Sequence, residues 1–144
     1  MIKLLIIYFV ILIKITFAQF PIQCYIQHVQ SQNYLQSAAA GQPLTLGITA
    51  TTWTINPAPG ASPTNSTISD SASGLYATVN QVAPGASIIA GTQEYLFLFD
   101  KYGIHIPSSP DSCWRSGQSD YIDLEACDNS DAEHFTYIPV VRRQ

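Results

Sequence analysis

Four apolar anchors recur three times along this chain, in one order and about 40 residues apart, and a period of that length marks a repeat architecture. The segments Thr51-Thr52-Trp53-Thr54-Ile55, Glu94-Tyr95-Leu96-Phe97-Leu98 and Glu133-His134-Phe135-Thr136-Tyr137 look alike. Their central residues Trp53, Leu96 and Phe135 lie 43 and 39 positions apart. Other anchors keep the phase: Ile26, Ile68 and Ile104 (42 and 36), Leu35, Tyr76 and Trp114 (41 and 38), and Leu46, Ile89 and Leu124 (43 and 35). A second similarity, between Ala58-Pro59-Gly60-Ala61-Ser62 and Ala83-Pro84-Gly85-Ala86-Ser87, has an interval of 25 and falls outside this phase. It reads as two turns of like chemistry.

No stretch sustains a 3.6-residue period. Short runs rich in β-branched and aromatic residues alternate with Gly, Pro, Asn, Asp and Ser clusters, the pattern of an all-β domain. The clearest predicted strands are Tyr25–Val29, Leu44–Ile48, Trp53–Ile55, Tyr76–Val79, Ser87–Ala90, Tyr95–Phe99, Gly103–Ile106, Tyr121–Ala126 and Phe135–Val140. One such unit cannot bury its apolar face alone, whereas three can close a small barrel capped by hairpins. The expected fold is therefore a β-trefoil with repeats at about 24–62, 63–101 and 102–142, and the alternative is a small β-sandwich.

The chain opens with Met1-Ile2-Lys3, an apolar run from Leu4 to Ile13, and Thr16-Phe17-Ala18. That is the form of a secretory signal peptide cleaved after Ala18. Lys14 stops the run short of the roughly 20 apolar residues a spanning helix needs. Residues 19–144 form one domain. Lys3 and Lys14 leave with the signal, so four of the six Lys and Arg remain against ten Asp and Glu, a net charge of about −6. Such a balance excludes nucleic acid and anionic membrane surfaces as partners, because both require clustered cations. The product is expected outside the cell, as a monomer.

Three cysteines follow the signal. Cys113 and Cys127 are 14 residues apart on neighbouring predicted strands and are expected to pair, closing a loop whose constraint stabilises by roughly 3 kcal/mol. Cys24 is left over and reads as a small buried apolar residue, or else as an intermolecular partner. No C-x-x-C or Cys/His cluster is visible, and no metal or cofactor is expected.

Residues 102–140 carry a more specific pattern: Cys113-Trp114-Arg115-Ser116, then Tyr121-Ile122-Asp123-Leu124-Glu125-Ala126-Cys127, then Ser130-Asp131-Ala132-Glu133-His134-Phe135. This resembles one repeat of the ricin-type (R-type) lectin family, in which a Cys-Leu-Asp stretch, a strand ending Pro-Cys and a Gln-x-Trp-Thr close follow in that order. The resemblance implies a β-trefoil that binds carbohydrate, but the sugar-contacting positions differ. The family's pocket Asp falls on Arg115, with Gln36 and Ala77 as counterparts in the earlier units. The stacking aromatic falls on Glu125, and the Asn before Gln-x-Trp falls on Ala132. Glu133 and Phe135 stand for the Gln and Trp. What the resemblance implies is a lectin-like domain with a degenerate pocket, whose candidate carbohydrate residues are Trp114, Arg115, Tyr121, Asp123 and Glu125. Tyr34 and Tyr76 are further aromatic platforms.

No constellation for catalysis stands beside these. There is no G-x-S-x-G, and His28, His105 and His134 are isolated in or beside predicted strands. The acidic run Asp120, Asp123, Glu125, Asp128, Asp131 and Glu133 could supply a glycosidase pair or calcium oxygens, but it lacks the calcium-loop order and reads as a solvated edge. An enzyme is not expected. Asn65-Ser66-Thr67 is an N-glycosylation sequon in a stretch that reads as a surface turn. The sequence points to a secreted, non-enzymatic binder of a glycan or cell-wall polysaccharide. The alternative is a secreted protein-binding trefoil, a protease inhibitor or an effector acting on a host protein.

Overall fold

The computed structural model describes residues 21–57, 65–100 and 103–141. The expected signal peptide and the Ala58–Ser62 turn lie outside them. Twelve strands run in order: β1 (Ile22–His28), β2 (Tyr34–Gln36), β3 (Thr45–Gly47), β4 (Trp53–Pro57), β5 (Asn65–Asp70), β6 (Tyr76–Thr78), β7 (Ile89–Gly91), β8 (Phe97–Asp100), β9 (Gly103–Ile106), β10 (Ser109–Ser116), β11 (Ile122–Ala126) and β12 (Phe135–Pro139). Two short 3-10 turns, at Gln118–Asp120 and Asp131–Glu133, flank β11. The protein is all-β, and its strands join into one antiparallel sheet.

The same pairings occur three times. Each long strand leads into a short hairpin, β2–β3, β6–β7 and β10–β11. The hairpins are entered at matching registers, Gln27 opposite Tyr34, Ser69 opposite Tyr76 and His105 opposite Cys113. Between the units β4–β5, β8–β9 and β12–β1 pair, while β1–β4 and β5–β8 close the first and second units on themselves. Among the described residues no ladder joins β9 to β12, so the sheet is open there. β9 still comes close to the turn that precedes β12, since a Cβ on Gly103 would sit 2.6 Å from the Glu133 carbonyl oxygen.

Three backbone hydrogen bonds tie the units at one point. The Leu44 amide donates to the Ile88 carbonyl (2.8 Å), the Ile88 amide to Ile122 (2.8 Å), and the Ile122 amide back to Leu44 (3.1 Å). All three side chains are fully buried. Around this ring lies a core of Ile26, Leu35, Trp53, Ile68, Phe97, Ile104, Trp114 and Leu124, all essentially solvent-free. Phe97 and Phe135 meet the Trp114 ring edge-on, with centroids 4.9 and 6.3 Å away. The Trp53 indole N–H reaches the Leu35 carbonyl at 3.0 Å.

The anchors of the first and third units occupy the core as the phase predicts, but those of the second slip by one residue. Ile68 is buried; after it, Ala77 takes the place expected of Tyr76, Ala90 that of Ile89, and Phe97 that of Leu96. Ala77 faces Ala90 across the hairpin as Leu35 faces Leu46 and Trp114 faces Leu124. Leu96 is 39% exposed. Because strand side chains alternate, a one-residue error in phase moves the whole set from inside to outside. At 77 and 90 the core positions are small, and their larger neighbours drew the apolar signal; Phe97 follows the same shifted phase.

Three strands depart from expectation in another way. β2 has only three residues, Tyr34-Leu35-Gln36, set between the polar stretch Gln30–Asn33 and Ser37, and shows no apolar run. β5, with Asn65-Ser66-Thr67 at its start, is a strand and not a turn: Ser66 and Thr67 are buried and Asn65 is half-buried opposite Leu98. β10 begins at Ser109-Pro110, inside the cluster Pro107-Ser108-Ser109-Pro110, whose composition is that of a turn. Proline has no amide to donate, and the register there shifts between Ser109 and Cys113, which a bulge accommodates.

Candidate functional site

The face of β10–β11 turned away from the core carries an open cleft of about 610 Å³, lined by Arg115, Ser116, Gly117, Gln118, Asp123 and Glu125. Alternation along the strands produces this grouping. Trp114 and Leu124 point inward as an opposed pair, so their neighbours Arg115, Asp123 and Glu125 point out. Arg115 and Asp123 are themselves direct cross-strand partners.

Arg115 and Asp123 each have a defined partner. Arg115 Nη1 donates to Asp128 Oδ2 at 2.9 Å, leaving the other guanidinium donors for the cleft. Asp123 Oδ1 accepts from Ser87 Oγ of the second unit at 2.7 Å. Its Oδ2 lies beside Gly117, where a Cβ would approach it to 2.6 Å. Any side chain at 117 would therefore fill the space next to this carboxylate. Asp128 is held below the usual carboxylate range by its hydrogen bonds with Ser130 and, beyond these, by Arg115. Carboxylate acceptors and guanidinium donors thus alternate across one cleft, an arrangement that can receive and supply hydrogen bonds to adjacent hydroxyls.

Of the five candidate carbohydrate residues, Arg115, Asp123 and Glu125 come together. Trp114 does not join them: it is fully buried, and its role is packing. Tyr121 is 42% exposed at the end of the hairpin, outside the cleft lining. Tyr34 stacks edge-on against Tyr25 (6.2 Å), and the Tyr76 hydroxyl donates to Glu94 (3.0 Å). Ser116, Gly117 and Gln118 were not anticipated, although a glycine between two hairpin strands was available as a signal.

The counterparts of Arg115 in the first two units are Gln36 and Thr78, the slip having moved the latter from Ala77. Glu125 is matched by Gly47 and Gly91. There the Gln36 and Thr78 side chains lie over the glycines, in the room a Cβ would need. At these hairpin positions charge occurs in the third unit and not in the other two. No protein-family model matches this chain, and no curated protein is significantly similar to it.

Cys113 and Cys127 form the expected disulfide, and Cys24 is free and fully buried. Burial pushes the Cys24 thiol up to about 11, so it is unreactive. It also bears on Tyr137, which burial raises first and Cys24 and Asp100 raise further. His105, isolated in sequence, is brought against the disulfide, which overturns the expectation that no Cys/His cluster exists; both sulfurs are committed to each other. His28 is buried and satisfied by Ser31 Oγ (2.9 Å) and the Ala132 carbonyl (3.2 Å), while His134 lies at the surface near Asn129.

The acidic run is less solvated than its composition implies. Glu133 is buried, and its two oxygens accept the Asp128 and Asn129 amides at 2.9 Å each. It thereby folds the turn that carries Cys127 and Asp128. Among the described residues no helix is long and apolar enough to cross a membrane.

Proposed function

We propose that this protein is an exported β-trefoil domain of lectin type that binds a glycan through a single cleft on its third hairpin. The observation that carries the reading is the convergence of Arg115, Asp123 and Glu125 in one open cleft beside Gly117. A neutral sugar offers adjacent hydroxyls that can each donate to a carboxylate and accept from a guanidinium, which this cleft supplies in alternation. An aromatic floor is missing from the lining, so recognition here is polar, unlike the stacking that the ricin-type resemblance implies. The trefoil is supported by the three matched hairpin registers, the cyclic bonds among Leu44, Ile88 and Ile122, and the close approach of Gly103 to Glu133. Export is supported by the amino-terminal pattern of Lys3, the apolar run and Ala18, and is compatible with the disulfide.

The test is retention of mature protein on a broad panel of glycans and insoluble polysaccharides, alongside Asp123→Asn and Arg115→Ala. Retention by the native chain with a loss of about tenfold in either variant supports the reading, each substitution removing a charge-assisted bond. No retention across the panel, or retention unchanged in both variants, overturns it and leaves the protein-binding alternative.

A further inference from the structure

We propose that the Cys113–Cys127 disulfide is a thiol-exchange site: a small external thiol attacks Cys127, and Cys113 leaves beside His105. Three features of the surroundings carry this, all separate from the glycan cleft. A cavity of about 470 Å³ opens onto the bond, lined by His105, Cys113, Cys127, Asp128, Asn129 and Glu133, which is room for a small thiol. The two sulfurs differ in access, since Cys113 is 1% exposed whereas Cys127 is half-buried just beyond the end of β11. Finally, His105 Nδ1 lies 3.2 Å from Cys113 Sγ and 3.5 Å from Cys127 Sγ, nearer the less exposed sulfur.

The histidine is held in place from both sides. Its Nε2 meets Asp100 Oδ1 at 2.9 Å, and its Nδ1 meets the Pro110 carbonyl, also at 2.9 Å. Since a carbonyl only accepts, Nδ1 donates its N–H to the Pro110 oxygen, and Cys113 Sγ lies 3.2 Å from the same nitrogen, close enough to share that hydrogen once the sulfur gains charge. Exchange then runs as follows. The external thiol loses its proton to solvent, and its thiolate sulfur bonds to Cys127 Sγ. The Cys113–Cys127 bond breaks and its electron pair remains on Cys113 Sγ. That thiolate, a stronger acceptor than the neutral Pro110 carbonyl, draws on the Nδ1–H of His105, and departure is faster the better the leaving thiolate is stabilised. Away from bulk water the hydrogen bond is stronger than it would be at the surface. The reverse attack by Cys113 on the mixed disulfide expels the small thiol and restores the bond, so the modification is reversible.

The experiment treats the mature disulfide-bonded protein with 2-mercaptoethanol, quenches with iodoacetamide and maps the peptides by mass. The expected product carries the thiol on Cys127 and the alkyl group on Cys113. His105→Leu should react about tenfold more slowly in the folded state, and His105→Asn, which keeps a neutral donor there, should lose less. In guanidinium all three should react alike, which separates an effect on the bond from one on folding. If His105→Leu fails to fold, His105→Asn alone carries the comparison. The adduct on Cys113, folded rates of native and variant within about twofold, or no adduct short of global unfolding overturns the proposal.

Discussion

Phe97 and Leu96 are adjacent, yet exchanging either for alanine should have very different consequences. Phe97 is fully buried, with its ring 4.9 Å from Trp114 and 5.0 Å from Tyr95. Truncation to alanine removes the transfer energy of the ring, leaves a cavity and deletes two aromatic contacts, for a cost of about 3–5 kcal/mol. Leu96 is 39% exposed, leaves little cavity behind and should cost about 1 kcal/mol or less. With a urea dependence of roughly 1.5 kcal/mol per molar, Phe97→Ala lowers the unfolding midpoint by about 2 M or more and Leu96→Ala by well under 1 M. Domains of this size hold only about 5–15 kcal/mol in all, so Phe97→Leu, at about 1–2 kcal/mol, serves if the alanine variant does not fold. Equal midpoint shifts for the two positions, or a larger one for Leu96, would refute the inward assignment of Phe97 and with it the one-residue slip of the second unit.

Replacing both Cys113 and Cys127 by alanine frees a loop of about 15 residues in the unfolded chain and should cost roughly 3 kcal/mol, read as a lower unfolding midpoint without loss of the β circular dichroism signal. Burial holds the His28 imidazole below its ordinary 6.5, despite the opposing Ala132 carbonyl and Asp120. The unfolded chain therefore binds the proton more readily: the stability contribution is complete above 6.5 and is lost as pH falls through the folded value. Urea midpoints at about pH 7.5 and about pH 5 should diverge more for the native chain than for His28→Asn. Gly103 has φ 141° and faces the Glu133 carbonyl, so Gly103→Ala should cost more than about 2 kcal/mol, whereas Gly85→Ala, with φ 79° and open space around it, should cost about 1. Thermal melts of the two variants check the ranking.

Sequence reading reached the fold wherever large apolar residues stood at the core positions. Ile26, Leu35, Leu46 and Trp53, and later Ile104, Trp114, Leu124 and Phe135, announced themselves by volume and spacing. In the second unit the inward places at 77 and 90 are alanines, while Tyr76 and Ile89 stand half-buried beside them, so volume pointed to the wrong neighbour. The polar composition of β5 hid a strand whose Ser66 and Thr67 are buried within the sheet. For the cleft, Arg115, Asp123 and Glu125 were legible through the ricin-type resemblance of residues 102–140; their shared outward face depends on β10, a strand that no local pattern announced. Trp114 was misread as a platform because aromatic residues serve cores and ligands equally well. The approach of His105 to the disulfide depends on the β9–β10 register and its bulge, which no local pattern reveals.

The small ring of amides and carbonyls at Leu44, Ile88 and Ile122 belongs to no single unit. Each unit donates one hydrogen bond to the next and accepts one from the last, so a fragment of any two keeps one bond and strands the partners of the other two in a dry interior. A shortened chain is therefore not a smaller version of the domain but a broken one. The bonds span 44, 34 and 78 positions of sequence, so the chain's two ends must find each other before its centre is satisfied. A molecule tied in this way assembles late and all at once.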